Sequence, residues 1–115
     1  MPKSYREITR SVSQSLVKLR AAKPDLMKGF SALASAATGD GALSPKTKEL
    51  IALALGVAGH CDACIAFHLQ TLIKLGVTRD EVEEALGVAV YMGGGPSLMY
   101  TADALTAFEE LSTPR

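Results

Sequence analysis

The stretch Leu50-Ile51-Ala52-Leu53-Ala54-Leu55-Gly56-Val57-Ala58-Gly59-His60-Cys61-Asp62-Ala63-Cys64 decides the fold of this 115-residue chain. From Leu50 to Ala58 no side chain is polar, and a helix apolar on every side belongs at the centre of a domain. The run falls well short of the roughly 18 residues that a membrane span needs. Gly59 is a natural helix stop, and helical spacing resumes almost at once through the cysteines towards Gly76. The spacing therefore predicts a tight helical hairpin, with Leu69, Leu72, Ile73 and Leu75 of the second arm directed into the core.

Outward from the hairpin, local signals mark the remaining helices. Ser44-Pro45 opens the first arm, serine as the N-cap and proline at the first helical position. Ser4-Tyr5-Arg6-Glu7 fits a capping box, opening a helix to about Arg20 with Ile8, Val12, Leu16 and Leu19 as its buried stripe. Pro24 suits the start of a second helix, with Leu26, Met27, Phe30, Leu33 and Ala34 at helical spacing, closed by the loop Thr38-Gly39-Asp40-Gly41. Thr78-Arg79-Asp80-Glu81 is another capping box, leading a helix through Val82, Ala85, Leu86, Val88, Ala89 and Val90. Gly93-Gly94-Gly95 interrupts it, and Pro96 opens a last helix through Leu98, Met99, Ala102, Leu105 and Phe108. The expectation is an all-α fold of about six helices around the central hairpin, forming one domain over residues 1–115.

Smaller features carry less. Tyr91, Met92, Met99 and Tyr100 flank the glycine break and read more readily as core than as a pocket lining. Ala54-Leu55-Gly56-Val57-Ala58 recurs as Ala85-Leu86-Gly87-Val88-Ala89. A mid-helix glycine costs roughly 1 kcal/mol against alanine, so each copy suggests a close backbone approach between helices.

Charge sums to zero but is polarised. Residues 1–39 hold seven Lys/Arg against Glu7 and Asp25, whereas residues 78–115 hold seven Asp/Glu against Arg79 and Arg115. The basic third has few clustered cations and only Tyr5 and Phe30 to stack on bases, which argues against nucleic acid. Opposite charges meeting within the chain or across a subunit contact is the simpler expectation. Lys3, Arg6, Glu7 and Arg10 precede any apolar stretch, unlike a secretory signal. The expected location is the cytoplasm, with no membrane partner. In that reducing compartment a C-x-x-C pair reads as redox-active, catalytic or metal-binding.

Both cysteines and both histidines fall within His60 to His68. On a helix, Cys61 and Cys64 are neighbours about 5 to 6 Å apart at Cβ, near enough for a disulfide after modest adjustment. His68 lies one turn beyond Cys64 on the same face. A helix N-terminus favours a thiolate at Cys61, while an imidazole partner favours Cys64; sequence physics does not choose between them. Folding the hairpin at residue 60 sets Glu49 about 15 Å back along one arm and His68 about 12 Å along the other. The two come within about one helical turn, where Glu49 can orient the imidazole and take up a proton. The plainer role for Glu49 is a solvated first-turn residue beside Lys46 and Lys48.

The pattern Glu49-x11-Cys61-x2-Cys64-x3-His68 resembles the active-site pattern of the AhpD-like alkylhydroperoxidases of the carboxymuconolactone decarboxylase superfamily. The resemblance covers at least residues 40–92. It implies an all-α, AhpD-like domain assembling as a homo-oligomer, a trimer or a hexamer, that reduces hydroperoxides. Cys64 would be the attacking thiolate, assisted by a relay through His68 and Glu49, and Cys61 would resolve the sulfenic acid to a disulfide. The reductant would be a lipoyl-bearing or other dithiol carrier protein and a further partner a peroxiredoxin, with no bound cofactor required. The best-known members carry a histidine between the cysteines, where this chain has Asp62-Ala63 and only His60 nearby as a substitute. Two rival readings come from other classes. Cys61, Cys64, His68 and Glu49 could form a tetrahedral zinc site, or the thiols could serve a non-catalytic redox sensor or assembly module. Covalent haem fails, because Ile65 stands where a histidine should follow the second cysteine.

Overall fold

A computed structural model describes residues 3–114. Among them the chain forms six helices and no strand: α1 Tyr5–Ala22, α2 Pro24–Thr38, α3 Pro45–Ala58, α4 Asp62–Lys74, α5 Arg79–Gly93 and α6 Gly95–Ser112. The expected all-α class holds, and the boundaries follow the local chemistry. The Ser4 and Ser44 side chains accept hydrogen bonds from the Glu7 and Thr47 N–H groups, each satisfying a donor that the first turn leaves free. At α5 the capping box is reciprocal: Thr78 accepts from the Glu81 N–H and the Glu81 carboxylate from the Thr78 N–H. The glycine break narrows to Gly94, whose φ of 71° lies where only glycine is unstrained and separates α5 from α6.

The hairpin of α3 and α4 is the centre. Leu53 and Val57 of α3 meet Ile65, Ala66, Leu69 and Leu72 of α4 in a core completed by Val82, Leu86 and Ala89 of α5, Ala104 and Ala107 of α6, and Tyr5 of α1. Fully burying a leucine-sized side chain contributes roughly 1.5–3 kcal/mol, so these two arms carry much of the chain's hydrophobic stabilisation. Gly56 is buried in the seam: a Cβ there would stand 3.1 Å from the Cys64 Cβ, so α4 can lie this close only against glycine. Gly87, the matching glycine of the repeated pentapeptide, meets nothing within 4 Å. The close approach expected of both copies is real only in the first.

Several expected core positions face outward. In α1 the buried residues are Tyr5 and Thr9; Ile8 packs partly against the core, Val12 and Leu16 are half-buried, and Leu19 is exposed. No residue of α2 is buried, and Leu26, Phe30 and Leu33 are more than 60% exposed. Among the described residues α2 packs only against α1 and α3, so its apolar stripe has no cover within the chain. Ile51, Leu55, Leu75, Val88, Leu98 and Met99 are also exposed, as are Tyr91 and Met92, which are therefore not core.

The charge polarity is neutralised in part inside the chain. Lys3 pairs with Asp62 and Asp103, Lys46 with Glu81, and Arg6 donates to the Glu110 and Thr113 carbonyls. The Glu110 carboxylate accepts from Ser4 Oγ at 2.7 Å and from the Tyr5 N–H at 2.8 Å, tying the start of α1 to the end of α6. Burial pushes the Glu110 pKa up, but these bonds outweigh it and hold the group below its ordinary value.

Candidate active site

The site is built at the joint of the hairpin. The Gly59 N–H bonds to the Leu55 carbonyl and the Cys61 N–H to that of Gly56, so the chain reverses within three residues. His60 takes the strain of the reversal with a φ of +56°, a region that histidine enters more readily than most residues. Its exposed ring stacks on Tyr100 with centroids 4.7 Å apart and planes 3° from parallel. His60 thus stays exposed while its ring rests against α6.

Cys61 is the N-cap of α4, not a residue within it, with extended backbone at φ −110° and ψ 96°. Its sulfur accepts the Cys64 N–H at 3.1 Å, the bond that a serine oxygen makes in an ordinary cap. The expectation that both cysteines are helical is corrected here: the tight reversal requires Cys61 to hold the cap position. The two cysteines form a disulfide, with Cα atoms 5.2 Å apart.

One turn along α4, His68 Nδ1 lies 2.6 Å from Glu49 Oε2. Glu49 is 8% exposed, so it is no solvated first-turn residue. A carboxylate only accepts, so Nδ1 carries the proton and Nε2 of a neutral ring is left basic. The hairpin thus brings an imidazole and a carboxylate 19 positions apart into hydrogen-bond contact, the arrangement that a base with an orienting partner requires.

Sequence reasoning missed a second cluster on the other flank of the cysteine pair. Asp62, the first residue of α4, accepts from the Tyr5 hydroxyl at 2.8 Å and from Lys3 Nζ at 3.1 Å. Lys3 also donates to Asp103 and lies 5.0 Å from the Tyr100 ring centroid. Burial first, then the bond to Asp62, raises the pKa of Tyr5, so the phenol stays a donor; bonds to Asp103 and then Asp62 raise that of Lys3, which stays charged. The one local signal was an acidic residue between the two cysteines. Its partners lie 57 and 59 positions away in sequence.

The zinc reading finds no support in the geometry: among the described residues no three His, Cys, Asp or Glu side chains converge as a metal ion requires. No helix among them is long and apolar enough to cross a membrane. An apolar hollow of about 350 Å³ opens between α1 and α2, lined by Leu16, Leu19, Leu26, Met27 and Phe30.

Residues 24–107 match the sequence model of the carboxymuconolactone decarboxylase family. An uncharacterized protein of Cupriavidus necator is 39% identical over 101 residues, spanning 88% of this chain and 89% of its own length. Uncharacterized protein 4 in the cox locus of Paracoccus denitrificans is 34% identical over 82 residues, spanning 71% and 74%. Among solved structures, a carboxymuconolactone decarboxylase family protein from Legionella pneumophila, in its apo form, superposes with a TM-score of 0.94 at 61% identity, over 95% of this chain and 97% of that one.

Proposed function

The chain belongs to the carboxymuconolactone decarboxylase family, and from that membership and the geometry of its cysteine pair we propose that it is a thiol-dependent peroxidase of the alkylhydroperoxidase type. The observation that carries this reading is the 2.6 Å bond between buried Glu49 and His68, one turn beyond a C-x-x-C pair already close enough to bond. In the reduced protein His68 takes the Cys64 proton and Glu49 stabilises the imidazolium. The Cys64 thiolate attacks one peroxide oxygen, breaking the O–O bond; the alkoxide takes a proton and leaves as alcohol, and Cys64 becomes a sulfenic acid. The Cys61 thiolate then attacks the Cys64 sulfur, forming the disulfide and expelling hydroxide, which leaves as water. In sum, ROOH and two thiols give ROH, water and a disulfide.

A dithiol donor, a lipoyl-bearing or other carrier protein, restores the thiols by exchange, and a peroxiredoxin is the further partner in this scheme. The working unit is a homo-oligomer, a trimer or a hexamer, a reading supported by the uncovered apolar stripe of α2. The test is mass spectrometry of the reduced protein before and after stoichiometric organic hydroperoxide, followed by steady-state turnover with several dithiol donors. Cys64→Ser should stop peroxide consumption, and Cys61→Ser should leave a sulfenic acid trapped at Cys64. Thiols that stay reduced in peroxide would end the reading, and a disulfide that forms once and is re-reduced by no donor would leave a redox sensor.

A further inference from the structure

The first of the two residues between the cysteines is held by groups that the proposed reaction does not use. Asp62 sits at the N-terminus of α4, adjacent to Cys61, and is half-buried. A carboxylate in that place opposes a neighbouring thiolate by like-charge repulsion. Left alone, it would cancel part of what the helix terminus and the Cys64 N–H offer the Cys61 sulfur. It is not left alone: Tyr5, 2% exposed, turns its hydroxyl onto one carboxylate oxygen, and Lys3 bridges Asp62 to Asp103. Tyr5 cannot swing away, because it is buried in the same core as Ile65 and Ala66 of α4.

We propose that Tyr5 and Lys3 are positioning residues that act through Asp62 to set the redox equilibrium of the Cys61–Cys64 pair. By hydrogen-bonding and ion-pairing the Asp62 carboxylate, they draw its charge away from the sulfurs and ease formation of the reduced, thiolate-bearing state. The inference rests on the disulfide cycling as a redox couple, as in the proposed function. Other charged or titratable groups in the joint are His60, stacked on Tyr100, and Asp103, which shares Lys3. The Glu49–His68 pair stands on the facing helices.

The couple is measured with dithiothreitol. It gives two electrons to the disulfide, breaking the S–S bond, and becomes a cyclic disulfide. Where one protein thiol is ionised the products are a thiolate, a thiol and one proton released to solvent. Two substitutions should move this equilibrium in opposite directions. Asp62→Asn removes the opposing charge, so the reduced form gains by about fivefold, or about 20 mV on a scale where tenfold is about 30 mV. Lys3→Met leaves the carboxylate less compensated, so the disulfide gains by a similar factor; Tyr5→Phe moves it the same way, and Lys3→Arg restores the wild-type value. In the Asp62→Asn background, Lys3→Met should add nothing.

Ultraviolet titration of the thiolate in the reduced variants should follow the same order, with Asp62→Asn ionising at the lowest pH. Shifts of one sign for both charge variants, no shift beyond error in either, or a Lys3 effect that persists without Asp62 would overturn the proposal. A purely structural network would lower the melting temperature of the variants without this opposition of sign. If Tyr5→Phe fails to fold, the Lys3 and Asp62 pair decides alone. Because the measurement uses no peroxide, a chain that shows these shifts yet consumes no hydroperoxide would refute the peroxidase reading and leave this one standing.

Discussion

Gly56→Ala and Gly87→Ala are the same substitution in the same pentapeptide, and the structure assigns them different outcomes. Both remove a mid-helix glycine, a gain of about 1 kcal/mol from helix propensity. At Gly87 nothing lies within 4 Å of the new Cβ, so that gain stands and the variant should be more stable than the wild type. At Gly56 the new Cβ meets the Cys64 Cβ at 3.1 Å, with the Cys64 carbonyl carbon and the Ile65 nitrogen at 3.7 Å. Carbon atoms prefer about 3.5–4.0 Å, and the nearest obstacle is the root of a side chain on a packed helix, which cannot rotate away. Relief requires α4 to shift by several tenths of an ångström, and overpacking of this kind costs typically 1–3 kcal/mol. The propensity gain is cancelled or reversed, so urea denaturation should separate the two variants by about 1–3 kcal/mol in favour of Gly87→Ala. Cys64 and His68 ride together on α4, so the shift draws His68 away from Glu49 on α3, and peroxide-driven disulfide formation should slow in Gly56→Ala and not in Gly87→Ala. Equal stabilisation by the two substitutions, with equal oxidation rates, would refute the close approach of α3 and α4 at the cysteine.

Glu49→Gln keeps the shape of the buried side chain and removes its charge, so the protein should fold as the wild type does while oxidation near neutral pH slows by up to about a hundredfold, the low end of what general-base assistance contributes. Stopped-flow oxidation by an organic hydroperoxide measures this, and a wild-type rate would remove the relay from the reaction. Glu110 is held below its ordinary pKa, so its contribution is complete above the unfolded-state value of about 4.3 and is lost as pH falls through the lower folded value. Denaturation of wild type and Glu110→Gln across acid pH should therefore show a gap that is widest near neutrality and closes on acidification; a gap independent of pH would contradict it. Phe30→Glu, at a site 65% exposed on the α2 stripe, should leave the subunit folded and reduce its mass in light scattering from oligomer to single chain. A wild-type protein that is already monomeric would count against the assembly.

What could be read from the sequence is what depends on neighbours. Ser4, Ser44-Pro45 and Thr78 with Glu81 announce helix starts because a cap is satisfied within three residues. The meeting of Glu49 with His68 follows from helix rise and one sharp turn, and it occurs. What escaped depends on the third dimension. The position of Cys61 as a cap rests on its N–H reaching the Gly56 carbonyl while His60 adopts a positive φ, which no spacing encodes. Tyr5 and Lys3 join Asp62 because α1 packs against α4, a long-range choice made by the whole core. The stripe of α2 has the period of a buried face and is exposed. Periodicity identifies an apolar face but not what covers it.

The cap position of Cys61 bears on the order of attack in the proposed reaction. In the reduced protein the Cys64 N–H and the α4 N-terminus both favour charge on the Cys61 sulfur, so in the proposed reaction Cys61 needs no general base of its own. Cys64, already inside the helix, gives up that N–H to its partner, and in the proposed reaction His68, one turn on along the helix, is its external base. The two cysteines therefore carry different requirements, and the proposed sequence meets both. Peroxide arrives at the thiol served by a relay that can take its proton, and the sulfenic acid formed there faces a second sulfur kept as thiolate by the helix terminus, ready to displace hydroxide. If Cys61 attacked first, its own stabilisation would lower its nucleophilicity, and resolution would fall to a thiol that still had to be deprotonated.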